Sequence, residues 1–216
     1  MVAGMKSVRL IARDAGWALV LAGVLVARPA GLGAQASTVV VVRHAEKADT
    51  TRDTGLSAVG VTRAEALRDA LADFPLQAIY LSEYRRGEQT AAPTAVLFRL
   101  TPVVIPIHGD KTSQAEATAD AIRLMNPGSA ALVVGHSNTV GMIIAALGGP
   151  AVPELCDQEY AMIFVLELPL DLPPRLLRAS YGVPDPPEAV ACHAPAPITE
   201  TSAPIADPQQ TAPSPP

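Results

Sequence analysis

Val39-Val40-Val41-Val42-Arg43-His44-Ala45-Glu46-Lys47 runs four β-branched residues straight into an Arg-His pair. A run of this kind reads as a strand buried on both faces. In open α/β sheets, ligands bind at the carboxyl ends of the strands. An imidazole at such a tip can act as nucleophile, base or metal ligand, and the neighbouring guanidinium suits a phosphate or a carboxylate. Alone, the dipeptide is equally compatible with an incidental surface pair.

Two more segments have the same form. Ala78-Ile79-Tyr80-Leu81-Ser82 is a short apolar strand leading into Glu83-Tyr84-Arg85-Arg86-Gly87-Glu88-Gln89-Thr90-Ala91. Ala131-Leu132-Val133-Val134-Gly135 leads into His136-Ser137-Asn138-Thr139. If these strands are parallel neighbours, their tips bring two arginines and two histidines to one crevice. That donor set suits an anion with several oxygens, phosphate before carboxylate.

Arg43-His44-Ala45-Glu46-Lys47, Ser82 with Arg86 and Gln89-Thr90-Ala91, and Gly135-His136-Ser137 resemble the three signature segments of the histidine phosphatase superfamily. Within it the resemblance is to branch 1, the phosphoglycerate mutase-like branch. In size the chain is nearest the small phosphohistidine phosphatases. Leu56-Ser57-Ala58-Val59-Gly60, with Ala64 beyond, looks like that family's helix start after the first strand. The resemblance covers roughly residues 38 to 181 and implies an α/β three-layer sandwich. Its central sheet would be mostly parallel, with helices on both faces.

The family's roles map onto this chain residue by residue. His44 would attack phosphorus through a neutral ring nitrogen to give a phosphohistidine, its other nitrogen held by an acceptor, expected to be a backbone carbonyl. Arg43 and Arg86 would clamp the oxygens. His136, expected at a helix N-terminus, would donate a further bond. Ser137, Asn138 and Glu46 are candidate substrate contacts; Asn138 can instead cap a helix, and Glu46 with Lys47 can form a surface ion pair. For the general acid, Asp110 in Ile107-His108-Gly109-Asp110-Lys111 comes first and Glu116 second, against the alternative of a solvated or helix-capping carboxylate. Some small phosphohistidine phosphatases manage without an acid, because a P–N bond leaves more readily. His108 is a loop or pocket-rim histidine, and His193 is expected to be inert. No HxH or HExxH spacing supports a metal site, and neither a metal nor a cofactor is expected.

The rest of the pattern alternates strands and helices, which means a sheet covered on both faces. Ser57 should cap a helix presenting Val61, Ala64, Leu67 and Leu71, stopped by Phe74-Pro75. A second helix should run from after Ser82 to about Leu100, kinked at Pro93 or starting near it. Val103 to Ile107 reads as a strand, Gln114 to Met125 and Thr139 to Leu147 as helices. Met162 to Leu168 and Leu176 to Tyr181 read as strands, at least one antiparallel.

Of the 216 residues, 49% are hydrophobic and 17% charged, enough for one domain with a core. Lys6, Arg9 and Arg13 precede an apolar run from Ala15 to Ala27, and Ala34-Gln35-Ala36 offers small residues for cleavage. Residues 1–36 therefore read as a signal peptide and 37–183 as the phosphatase-like domain, exported to the periplasm or beyond. The apolar run is short for a transmembrane span, although an uncleaved anchor is the alternative. Taking the four basic residues and one acidic residue of 1–36 from totals of 16 and 21 leaves 12 and 20, a formal charge of −8. Such a surface repels nucleic acid and anionic membranes, so no partner of either kind is expected. Residues 184–216 include ten prolines among 33 and read as a disordered tail. Cys156 and Cys192, the only cysteines, are able to pair after export, with two unrelated thiols as the alternative.

The implied activity is hydrolysis of phosphomonoesters or phosphorylated protein side chains, without a metal. The substrate is then a phosphorylated small molecule or a phosphoprotein. Mutases of the family carry a long insertion over the pocket. Here 49 residues separate Arg86 from His136, and a strand and a helix consume most of them. A phosphoglycerate mutase-like phosphotransferase is the rival enzyme; a non-catalytic phospholigand-binding protein is the rival of another class. Oligomeric state is not legible.

Overall fold

The computed structural model describes residues 36–193. Residues 1–35, with Trp17 and most of the expected signal peptide, lie outside the described residues, as does the tail from 194 onward. The described elements are β1 (Ser37–Arg43), α1 (Ala58–Ala70), β2 (Leu76–Leu81), α2 (Arg85–Phe98), β3 (Val103–Val104), α3 (Lys111–Arg123), β4 (Ala130–Gly135), α4 (Val140–Ala146), β5 (Met162–Leu168), β6 (Arg175–Ser180) and a 3-10 helix, Pro187–His193. No helix among the described residues is long and apolar enough to cross a membrane.

The strands form one six-stranded sheet in the order β3-β2-β4-β1-β5-β6. The first four are mutually parallel, while β5 runs antiparallel to β1 and β6 antiparallel to β5. The expected α/β sandwich with a mostly parallel sheet is therefore what the chain adopts. The four valines of β1 explain its central place. Val39 and Val41 point into a core shared with Ala115, Ala119 and Ile122 of α3 and Val140, Ile143 and Ile144 of α4. Val40 and Val42 point the other way, among Leu67 and Leu71 at α1 and Ala91 and Ala95 of α2. A strand buried on both faces needs apolar side chains at every position, and full burial of each valine contributes about 1.5 kcal/mol or more.

Several element ends differ from the sequence expectation. Ser57 does cap α1, its Oγ accepting from Gly60 N at 3.1 Å. The buried face of α1, however, is Gly60, Arg63, Ala64 and Leu67, and Val61 is 52% exposed. Gly60 sits there because α1 packs on the loop after β1: a Cβ at this position would lie 2.3 Å from the Glu46 carbonyl oxygen. The α2 helix passes through Pro93 without a break in assignment. The β3 strand shrinks to two residues at the sheet edge, where Pro106 has no N–H to offer a longer ladder. The α3 helix begins three residues earlier than expected, because Asp110 caps it.

The Pro-rich stretch is also folded further than its composition implies. Asp185 accepts from Tyr160 N at 2.9 Å and Ala161 N at 2.9 Å, and the 3-10 helix carries described structure to His193. Ten residues assigned to the tail thus belong to the domain. Cys156 is disulfide-bonded; the Cys192 side chain lies outside the described residues.

Candidate active site

Register places the site. Arg43 pairs with Gly135, and one row earlier Val42 and Leu81 both pair with Val134. The residues that follow, Arg43-His44, Ser82 and Gly135-His136, therefore emerge at one level of the carboxyl edge. Of these, Arg43, His44 and His136 line a cavity of about 360 Å³ together with Lys47, Tyr84, Arg86, Ile107, Gly109, Lys111, Ser137, Asn138 and Asp157. Around it, Arg43, Lys47, Arg86 and Lys111 face a single lining carboxylate, Asp157. The chain as a whole carries a formal charge of −5, so this positive pocket opposes the overall field.

His44 is 3% exposed and held at both ends. Its backbone N–H donates to Gly135 O at 2.9 Å, and Nδ1 lies 2.8 Å from Ala45 O. A carbonyl can only accept, so Nδ1 carries the proton and Nε2 keeps a lone pair. The expected tautomer-fixing carbonyl is that of the next residue. Ala45 is itself fixed, its N–H donating to Thr90 Oγ1 at 2.9 Å. Burial, reinforced by the positive charge of Arg43 and Arg86, pulls the His44 pKa down to about 2. The ring is neutral at any ordinary pH.

His136, 7% exposed, stands with its ring centroid 5.2 Å from that of His44. Its Nε2 is 2.7 Å from Ser82 Oγ and its Nδ1 is 3.4 Å from Arg86 Nη2. Burial and then Arg86 bring its pKa down to about 3. It does not sit at the N-terminus of a helix, as expected. It opens a turn in which Thr139 Oγ1 accepts from His136 N at 2.9 Å, and α4 starts four residues later.

The two arginines present themselves alike. Arg43 Nη1 donates to Cys156 O at 2.7 Å and Glu159 O at 3.1 Å, while Nη2 reaches Tyr160 Oη only at 3.4 Å. Arg86 Nη1 donates to Arg52 O at 2.8 Å, and its Nη2 makes only the long contact with His136. In both, Nε is buried with no partner among the described residues. Each guanidinium thus anchors Nη1 on backbone carbonyl oxygen, makes only a long contact through Nη2 and leaves Nε without a partner among the described residues. A buried donor without an acceptor costs free energy, which a multi-oxygen anion would relieve. Tyr160 and Tyr84 stack on Arg43 and Arg86, at 4.0 and 4.3 Å from ring centroid to guanidinium carbon.

Not every candidate falls in the pocket. Ser137 and Asn138 line it. Glu46 does not: its Oε1 is 2.8 Å from Arg63 Nε and Nη2, tying the loop after β1 to α1. Asp110 accepts from Thr112 N, Ser113 N and the Ser113 hydroxyl as the α3 cap. The Ser113 bond and the Thr112 amide hold its carboxyl below the usual carboxylate range, the opposite of what a general acid needs. Glu116 is exposed on α3 and outside the cavity. His108 is likewise absent from the lining, although its neighbours Ile107 and Gly109 are part of it. His193 is not inert, since its Nε2 lies 2.9 Å from Glu159 Oε2.

Sequence reasoning missed Asp157 and Tyr160 altogether. Both come from the irregular segment between α4 and β5, which has no periodicity to read. Gln89 and Thr90 were quoted without a role. Gln89 Oε1 accepts from Leu56 N at 2.7 Å, and Thr90 holds Ala45, so both brace the loop that carries His44.

A neutral buried histidine and two guanidiniums thus line one cavity at the carboxyl edge of a mostly parallel sheet. Residues 39–106 match the profile of the histidine phosphatase superfamily (branch 1). Solved structures with the same fold include mycobacterial hydrolase 1, 19% identical over 68% of this chain and 100% of its own, with a TM-score of 0.54. A mycobacterial glucosyl-3-phosphoglycerate phosphatase is 18% identical over 66% of this chain and 97% of its own, TM-score 0.52. The protein histidine phosphatase SixA, complexed with tungstate, is 19% identical over 66% and 96%, TM-score 0.50. A search of curated proteins finds no match.

Proposed function

We propose that the protein is a phosphatase that hydrolyses phosphomonoesters or phosphorylated protein side chains through a phosphohistidine on His44. The observation that carries this reading is the bond from His44 Nδ1 to Ala45 O, which leaves a neutral Nε2 lone pair beside the unspent donors of Arg43 and Arg86. The lone pair attacks phosphorus in line; the bond to the leaving group breaks, and its electron pair departs with that group. Arg43 and Arg86 neutralise the equatorial oxygens. If Ser82 Oγ–H donates to His136 Nε2, then Nδ1–H of His136 becomes a further donor to the anion. Water then attacks the phosphohistidine, releasing phosphate and restoring the neutral imidazole.

The side chains supply the positive charge that this transfer requires, so the proposed reaction is metal-independent. With Asp110 committed to the α3 cap, the carboxylate lining the pocket is Asp157. That arrangement suits leaving groups that depart without strong acid assistance, of which a phosphorylated nitrogen is one. Between Arg86 and His136 the chain holds only the rest of α2, β3, α3, β4 and short connections, so no insertion of the mutase kind covers the cavity.

The test is hydrolysis of 4-nitrophenyl phosphate with chelator present, joined to a rapid quench with labelled phosphate donor. The wild type should form a base-stable, acid-labile adduct. His44→Ala should form none and lose roughly 10³-fold or more in turnover. Wild-type turnover by His44→Ala would overturn the mechanism.

A further inference from the structure

Arg43 lines the pocket with its Nη1 anchored on two backbone carbonyls, and both acceptors belong to one tight turn. Cys156 and Glu159, whose carbonyls accept from Nη1, are the first and last residues of that turn, closed by Glu159 N donating to Cys156 O at 3.0 Å. Asp157, the pocket carboxylate, is its second residue. The turn has a further lock, because Cys156 N donates to Glu159 Oε2 at 3.0 Å. That same oxygen lies 2.9 Å from His193 Nε2, at the end of the 3-10 helix. The Glu159 side chain is 8% exposed, so this carboxylate depends on protein donors rather than on water.

We propose that His193, with Glu159, is a positioning pair that sets Arg43 for phosphoryl binding, giving the C-terminal Pro187–His193 segment a part in the active site. The inference rests on the phosphate-binding role of the pocket proposed above. The chain of contact runs from His193 to the Glu159 carboxylate, through the 156–159 turn to two carbonyls, and from these to the Arg43 guanidinium. Without His193 the buried carboxylate keeps one donor of two, the turn loosens, and the Arg43 fork can rotate away from the anion. A few tenths of an ångström suffice, since charge-assisted bonds are short and directional. The other braces on this segment, the disulfide at Cys156, Leu155 N to Ser137 O and the Asp185 bonds to Tyr160 and Ala161, bypass the Glu159 carboxylate and remain in place. The loss is therefore partial.

The experiment uses the full chain. Binding of inorganic phosphate and of orthovanadate is measured by calorimetry, and 4-nitrophenyl phosphate kinetics by steady state, for wild type, His193→Ala and His193→Gln. His193→Ala should weaken phosphate binding and raise KM about three- to tenfold with a smaller change in kcat. His193→Gln, whose amide nitrogen can stand where Nε2 stands, should recover most of the loss. A merely structural histidine would lower Tm without this split and without this rescue. Should His193→Ala fail to fold, Glu159→Gln read by the same binding assay takes its place, with the same loss expected. Unchanged phosphate affinity in folded His193→Ala, or in Glu159→Gln where that variant takes its place, overturns the proposal. Because the binding arm needs no turnover, a wild type that binds phosphate without hydrolysing the ester refutes the hydrolytic reading alone.

Discussion

His44 and His136 are neutral rings in the folded protein, each with a single N–H. Burial is the first cause for both, and it places their pKa values near 2 and 3 against an ordinary 6.5. Because these values are depressed, protonation favours the unfolded chain. The stability they leave intact is present above about pH 6.5, and it falls as pH drops from there toward 3, while only the unfolded histidines take up protons. Each histidine contributes a slope of up to about 1.4 kcal/mol per pH unit in that window. Urea unfolding at pH 7.5 and pH 5.0 should therefore show wild type losing roughly 4 kcal/mol more than a His44→Gln/His136→Gln variant. Equal losses in the two proteins would mean that these rings are not neutral because of burial. The same depression keeps the His44 lone pair available in mild acid, so any acid limb in activity has to come from substrate or another group. These two histidines were legible in the sequence because each follows directly on an apolar strand. Asp157 and Tyr160 were not, since no strand or helix pattern announces them.

The element that decides the fate of the sequence's general-acid candidate is α3. Asp110 precedes Lys111-Thr112-Ser113, and its carboxylate takes the free amides of the first turn, as N-cap residues do. The expectation placed that helix start at Gln114, which left Asp110 in a loop and available for catalysis. Moving the start by three residues converts a catalytic carboxylate into a cap. Asp110→Ala should accordingly lower Tm in a thermal melt while leaving the ratio of alkyl to aryl phosphate turnover as in wild type. A selective loss on alkyl phosphates would restore Asp110 as the proton donor. A similar shift of face moved Val61 outward on α1, because Gly60 has to meet the Glu46 backbone and carries Arg63 inward with it. The mostly parallel sheet, by contrast, followed from the sequence's alternating pattern and family resemblance. The β3 strand is much shorter than expected, through Pro106 and its edge position.

At the scale of the whole molecule, a pocket with four cationic side chains sits in a chain whose remaining surface is acidic. We propose that the chain is exported and that residues 1–36 are removed, which deepens this contrast by taking away four basic residues and one acidic residue. Cleavage after Ala36 would leave Ser37 as the first residue, and Ser37 is also the first residue of β1. The new terminus would thus lie directly at the sheet, where Ser37 Oγ accepts from Gly128 N at 3.2 Å and Thr38 N donates to Ser129 O at 2.9 Å. Among the described residues the first core residue is Val39, so such a cut removes none of the described core. An oxidising compartment also fits a disulfide at Cys156. Trp17 is the only tryptophan in the chain, so its fate reports the cut directly. Protein recovered from the periplasm of an expression host should begin at Ser37 by intact mass and show no tryptophan fluorescence. Soluble protein that retains residues 1–36, with Trp17 emission, would refute cleavage and leave these residues to be explained as part of the working molecule.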